Sequence, residues 1–265
     1  MGLQEQYRPV SHEWMSPSTY ISNAVRELKS LKVPEITSEK AVRAYAGEFL
    51  GTALLLMGIV GSGIMAENLA GGNAALALLA NALATAALLP VLIFLFTSVS
   101  GSHFNPLVSL AEMFAGRLSP SRIPGYILAQ VAGGIIGVFA AHAMFGLPVL
   151  QNSLHVRSGI SQWFAEGIAT FGLLLIILRR FSMPTNQVPW LIGAYIGAAY
   201  WFTASTSFAN PAVTLARSLT HTFSGIRPVD VPGFIAAQFL GALAAWFLNR
   251  WIFVVGSKSE KVRDE

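Results

Sequence analysis

Asn210-Pro211-Ala212-Val213-Thr214-Leu215-Ala216-Arg217 repeats, in register, the earlier octet Asn105-Pro106-Leu107-Val108-Ser109-Leu110-Ala111-Glu112. Asn, Pro, Val, Leu and Ala agree, and Ser stands opposite Thr. Each octet opens as a helix does, with Asn at the cap and Pro at the first helical position. Each supplies only about ten apolar residues, roughly half of what a bilayer crossing takes, before polar or turn residues return. A short apolar helix with a polar cap, present once in each half of a membrane protein, predicts a half-helix whose capped end lies near the bilayer midplane and faces a polar path.

The rest of the chain fits that reading. Of its 265 residues, 54% are hydrophobic and 11% charged, far below the quarter or so typical of soluble domains, so an integral membrane protein is expected. The absence of Cys excludes disulfides, thiol catalysis and thiolate metal sites. A formal charge of +4 needs no nucleic acid, because basic residues bordering membrane spans account for it. No basic start leads into an apolar run, so no cleaved signal peptide is expected. Gln6 occupies the place where a myristoylation motif has Ser or Thr.

Hydropathy predicts a polar tail over 1–40, with a short amphipathic helix around Ile21–Leu31, a channel domain over 41–256 and a charged tail over 257–265. Six spans are expected: Tyr45–Met65, Ala74–Phe96, Gly125–Phe145, Gln162–Leu178, Val188–Thr206 and Val231–Val255. Six spans put both termini on one side. That side collects Arg117, Arg122, Arg179 and Arg180, whereas Arg157, Arg217 and Arg227 lie on the other, so both termini are expected to be cytoplasmic.

The duplication extends beyond the octets. Glu48 recurs as Glu166, and Tyr126-Ile-Leu-Ala-Gln130-Val-Ala-Gly133 as Phe234-Ile-Ala-Ala-Gln238-Phe-Leu-Gly241. The repeats cover about 44–146 and 160–254. Each holds three spans, an odd number, so the second half enters the membrane from the opposite face. Such inverted repeats place their site between the halves.

These residues resemble the aquaporin, or major intrinsic protein, family. The resemblance is carried by the Asn-Pro pairs, Ser100-Gly101-Ser102-His103-Phe104-Asn105-Pro106, Glu48 with Glu166, and the Ala-Gln-x-x-Gly pairs, and it spans roughly Ala44 to Trp251. It implies an all-α membrane protein, a right-handed bundle of six transmembrane helices plus two re-entrant half-helices meeting head to head. It also implies one pore per subunit, a homotetramer, no cofactor and no enzymatic activity. Counting along the motifs as that family does puts the selectivity filter at Thr85, Ala198, Ser207 and Val213, where Val213 replaces the usual Arg. This small, uncharged set resembles wide-filter members that pass glycerol, urea or neutral metalloid hydroxides. It is most similar to bacterial aquaglyceroporins of arsenic-resistance operons, which implies a bacterial inner membrane. Leu107 replaces the usual Ala, adds bulk beside the central constriction and argues against fast water conduction.

On this reading the Asn105 and Asn210 amides donate to a passing oxygen, and the positive ends of two half-helices repel cations. Glu48 and Glu166 are buried charges, open to two readings: proton relay, or acceptors for the loop backbone before each half-helix. Gln130 and Gln238 fall in the same supporting shell. His103 has no ligating partner in the sequence and reads as a pore-lining or loop-tying residue, not a metal ligand. Arg217 reads first as a side chain reaching the membrane interface, and second as a charge for the outer vestibule. Two other functions stay open: a proton-coupled transporter using Glu48 or Glu166, and, more remotely, an intramembrane hydrolase, although no Ser–His pairing is visible.

Overall fold

A computed structural model describes residues 38–254. The amphipathic helix expected at Ile21–Leu31 and most of both tails lie outside the described residues. Eight α-helices follow in order: α1 Ser38–Leu69, α2 Ala74–Ser100, α3 Pro106–Phe114, α4 Ile123–Met144, α5 Ile160–Arg179, α6 Val188–Phe202, α7 Pro211–Arg217 and α8 Val231–Asn249, the last continuing as one π turn, Arg250–Val254. Short 3-10 turns, Pro120–Arg122 and Pro228–Asp230, lead into α4 and α8.

Five helices are long and apolar enough to cross a membrane. α6 has 15 residues, about 22 Å of helix, against a hydrocarbon core of about 30 Å. The sequence extends this span to Thr206, but the helix stops at Phe202 because the segment before Asn210 turns left-handed. At the other extreme, α1 begins at Ser38, earlier than hydropathy places it, with an exposed Glu39–Arg43 pair in its first turns. Pro90 leaves α2 unbroken, its ring lying where a side chain on Gly193 of α6 would be.

The packing repeats across the two halves. α1 lies against α2 and α4, as α5 lies against α6 and α8, and α2 meets α6 to join the halves. Contact between α1 and α4 is backbone-close: a Cβ on Gly133 would strike the Phe49 carbonyl oxygen, and one on Gly137 that of Ala53. Gly241 of α8 stands in the same relation to the Gly167 carbonyl of α5. In a bilayer, where helices gain little from hydrophobic contact with one another, such close approach is what holds a pair together. The two short helices, α3 and α7, pack inside this frame and touch each other.

Candidate functional site

The two short helices meet tip to tip. Asn105 caps α3 through Oδ1, which accepts from the Leu107 amide at 2.9 Å. Asn210 caps α7 the same way, accepting from Ala212 at 2.9 Å. Their amide nitrogens reach across: Asn105 Nδ2 donates to the Ala209 carbonyl at 2.8 Å, and Asn210 Nδ2 to the Phe104 carbonyl at 2.7 Å. Each nitrogen carries two hydrogens, so one remains for another acceptor.

The loops feeding these tips are strained. Ser102, Phe104, Thr206, Ser207 and Ala209 all have φ between 49° and 61°, an unfavourable region for residues with a Cβ. Buried carboxylates hold them. Glu48 accepts from the His103 amide at 3.0 Å, from Phe104 at 2.6 Å and from Gln130 Nε2 at 2.8 Å. Glu166 accepts from Phe208 at 2.8 Å, Ala209 at 2.9 Å and Gln238 Nε2 at 2.6 Å. Both carboxylates are sealed from solvent, and neither lines the cavity described below. Of the two readings open in the sequence, this geometry is that of backbone acceptors. Gln130 and Gln238 then pass on to Ser109 and Thr214, both at 2.9 Å.

His103 shares Ser109, its Nδ1 lying 3.0 Å from Oγ, a Ser–His contact with no visible signal in the sequence. Ser109 is fully buried and already receives Gln130, so it has no access to a substrate. Among the described residues no three His, Asp or Glu side chains gather as metal ligands would.

A cavity of about 70 Å³ runs past the joined tips, room for several waters or one small solute, since 10–15 Å³ suffices for one water. Its lining is mixed: apolar side chains come from Leu89 and Ile93 of α2, Leu173 and Ile177 of α5, and Ile192 and Ile196 of α6. Polar groups come from Ser102, Asn105, Ser207 and Asn210 of the two loops and tips, with Thr85, Tyr200 and Arg217. Of the four filter positions counted from sequence, Thr85, Ser207 and Val213 line this cavity.

Ala198 does not. It is exposed on the outward face of α6. Two residues along a helix is a turn of about 200°, and it is Ile196 and Tyr200 that face inward. Tyr200 OH lies 3.2 Å from Thr85 Oγ1, so this end of the cavity carries a phenol where the sequence put a methyl group. Leu107 is also displaced. It is packed in the core, off the cavity wall, and Val108 takes that place, as Val213 does beside Ala212 in the second copy.

Arg217 does not reach for the membrane interface. Only 2% exposed, it lines the cavity with its guanidinium 3.4 Å from the centre of the Phe208 ring, while Nε donates to the Ser224 carbonyl. Arg157, which the sequence marked only as a loop charge, packs its guanidinium 5.1 Å from the same ring and donates to the carbonyls of Ser205 and Gly225. At the equivalent place in the first copy, Glu112 is clamped by Arg117 and Arg180.

A family model described as Major intrinsic protein matches residues 35–207. An aquaglyceroporin of Rhizobium meliloti, AqpS, is 55% identical over 210 residues, which cover 79% of this chain and 90% of the relative. The chain belongs to the major intrinsic protein family. Members of this family are channels, not enzymes, and this one is an integral membrane channel. A glycerol uptake facilitator-like protein of Lactiplantibacillus plantarum is 28% identical over 230 residues, covering 82% of this chain and all of that one. The solved aquaglyceroporin of Plasmodium falciparum superposes with a TM-score of 0.63 over 81% of this chain and 97% of its own, at 20% identity, so major intrinsic protein architecture persists where sequence has diverged.

Proposed function

We propose that this protein is a passive channel for small uncharged solutes: glycerol and urea, neutral arsenite and antimonite hydroxides, water and hydrogen peroxide. The observation that carries the reading is the mixed lining of the cavity, hydrogen-bonding groups together with apolar side chains. A polyol or metalloid hydroxide hydrogen-bonds to the first, and its carbon skeleton or bare face slides past the second. The Asn105 and Asn210 amides donate from the centre, the loop carbonyls beside them accept, and Thr85, Tyr200, Ser207 and Val213 form the narrow end. Replacing hydration bonds by bonds of similar worth is what lets a solute enter without being trapped. The names of the relatives, an aquaglyceroporin and a glycerol uptake facilitator-like protein, favour glycerol.

The channel domain takes in residues 41–256, sits in a bacterial inner membrane with both termini cytoplasmic, and assembles as a homotetramer within the lipid bilayer. Proton coupling through Glu48 or Glu166 is the weaker reading, because both carboxylates are saturated by loop amides and lie off the path. Stopped-flow uptake in proteoliposomes tests the proposal. Glycerol, urea and arsenite fluxes should rise linearly with gradient and be indifferent to protonophore. Saturating flux that collapses with protonophore would replace the channel by a transporter.

A further inference from the structure

We propose that Arg217 is the charge-selecting residue of this channel, a fixed cation on the cavity wall that excludes cations and protons, and that Arg157 and Phe208 position it. The proposal rests on the reading of the cavity as the solute path. Arg217 lines that cavity beside Ser207 and Val213, one helical turn beyond Val213. Among the described residues no carboxylate forms an ion pair with it, and its bond to the Ser224 carbonyl engages Nε only. Its terminal nitrogens therefore keep their donors for a solute oxygen.

Arg157 adds a second guanidinium against the same ring. It too is held by carbonyls, of Ser205 and Gly225, with no carboxylate on its side chain. Two buried guanidiniums against one ring, neither ion-paired but both within the influence of the Glu166 carboxylate, set up a field that a cation must climb and a neutral oxygen donor need not. Phe208 is itself tied down, its amide donating to Glu166 at 2.8 Å, so the charge has a fixed address. Ser207 Oγ is buried without a hydrogen-bond partner among the described residues. The other copy is different in kind: Glu112, at the place equivalent to Arg217, is neutralised by two arginines and does not line this cavity.

The test uses the full chain in proteoliposomes, with glycerol flux read by stopped flow and cation leak read separately as potassium and proton permeability. Arg217→Gln, which keeps a donor for the Ser224 carbonyl, should raise the leak by about tenfold or more. Arg217→Lys should leave the leak near that of the wild type. Val213→Arg added to Arg217→Gln should bring it back down. An Arg217→Gln channel that conducts glycerol with a wild-type leak overturns the proposal, and so does an Arg217→Lys channel that leaks as much as the glutamine variant. A wild-type protein that passes no glycerol would instead refute the proposed function, which the leak measurements do not touch.

Discussion

Glu112, near the end of α3, and Arg180, just past the end of α5, join the two halves of the chain by a double hydrogen bond: NH1 donates to Oε1 and NH2 to Oε2, both at 2.6 Å. Arg117 grips the same carboxylate with Nε and NH2 at 2.7 Å each, and both guanidiniums pack against the Phe181 ring. Forked pairs of this kind fix direction as well as distance. The far end of the first half-helix is therefore bolted to the second repeat.

Glu112→Gln leaves two guanidiniums facing each other with no anion between them. Breaking a buried pair costs about 3–5 kcal/mol, but both arginines are partly exposed, so a loss of about 1–3 kcal/mol is expected. Thermal unfolding in detergent should show a clear drop in Tm. Arg180→Ala should cost less, since Arg117 stays in place. Equal losses for the two variants would mean that the pairs do not act as one clamp.

Glu166→Gln puts an amide nitrogen against the amide of Phe208 or Ala209, donor facing donor. One buried bond lost in this way costs about 1–3 kcal/mol. The strained loop should loosen, so glycerol flux and Tm should fall together. Flux that survives at full rate but loses a dependence on the proton gradient would reassign the carboxylate to proton transfer.

Val213→Arg brings a long cation into the cavity that Thr85, Tyr200 and Ser207 also line. Glycerol and arsenite flux should fall by about tenfold or more, beyond any fall in water flux, because the larger solutes have no slack. Unaltered stopped-flow glycerol uptake would remove Val213 from the filter.

Gly137→Ala drives a methyl group into the Ala53 carbonyl, so α4 must back away from α1, at a cost of about 1–3 kcal/mol. Gly167→Ala is the internal control. Its Cβ would stand 3.5 Å from the Ala237 carbonyl, an ordinary contact, and alanine favours helix by up to about 1 kcal/mol. The first should lower Tm and the second hold or raise it. The opposite order would remove close helix approach as the basis of the α1–α4 contact.

The paired octets, the two glutamates and the two glutamines were legible because each is fixed by local chemistry: a capped helix start, and buried charges that recur at matching places. The filter was less so. Thr85, Ser207 and Val213 follow from counting, but Ala198 required the rotational phase of α6. That phase is set at Thr203–Asn210, where backbone held at positive φ by Glu166 replaces the helix. An inward stripe of Ile192, Ile196 and Tyr200 at spacing four was the available signal. Arg217 misled for a different reason. A long cationic side chain near a helix end commonly reaches water, and nothing local announces that Phe208 and the Ser224 carbonyl will hold it inside.

The crossed bonds of Asn105 and Asn210 bear on how the protein is made. When the first half has left the ribosome, the Phe104 carbonyl and the Asn105 amide lie deep in lipid with their counterparts still untranslated, a costly state for polar groups without water. Neither half can complete these bonds alone, so a chain ending before Asn210 leaves the Phe104 carbonyl and the Asn105 amide without these partners.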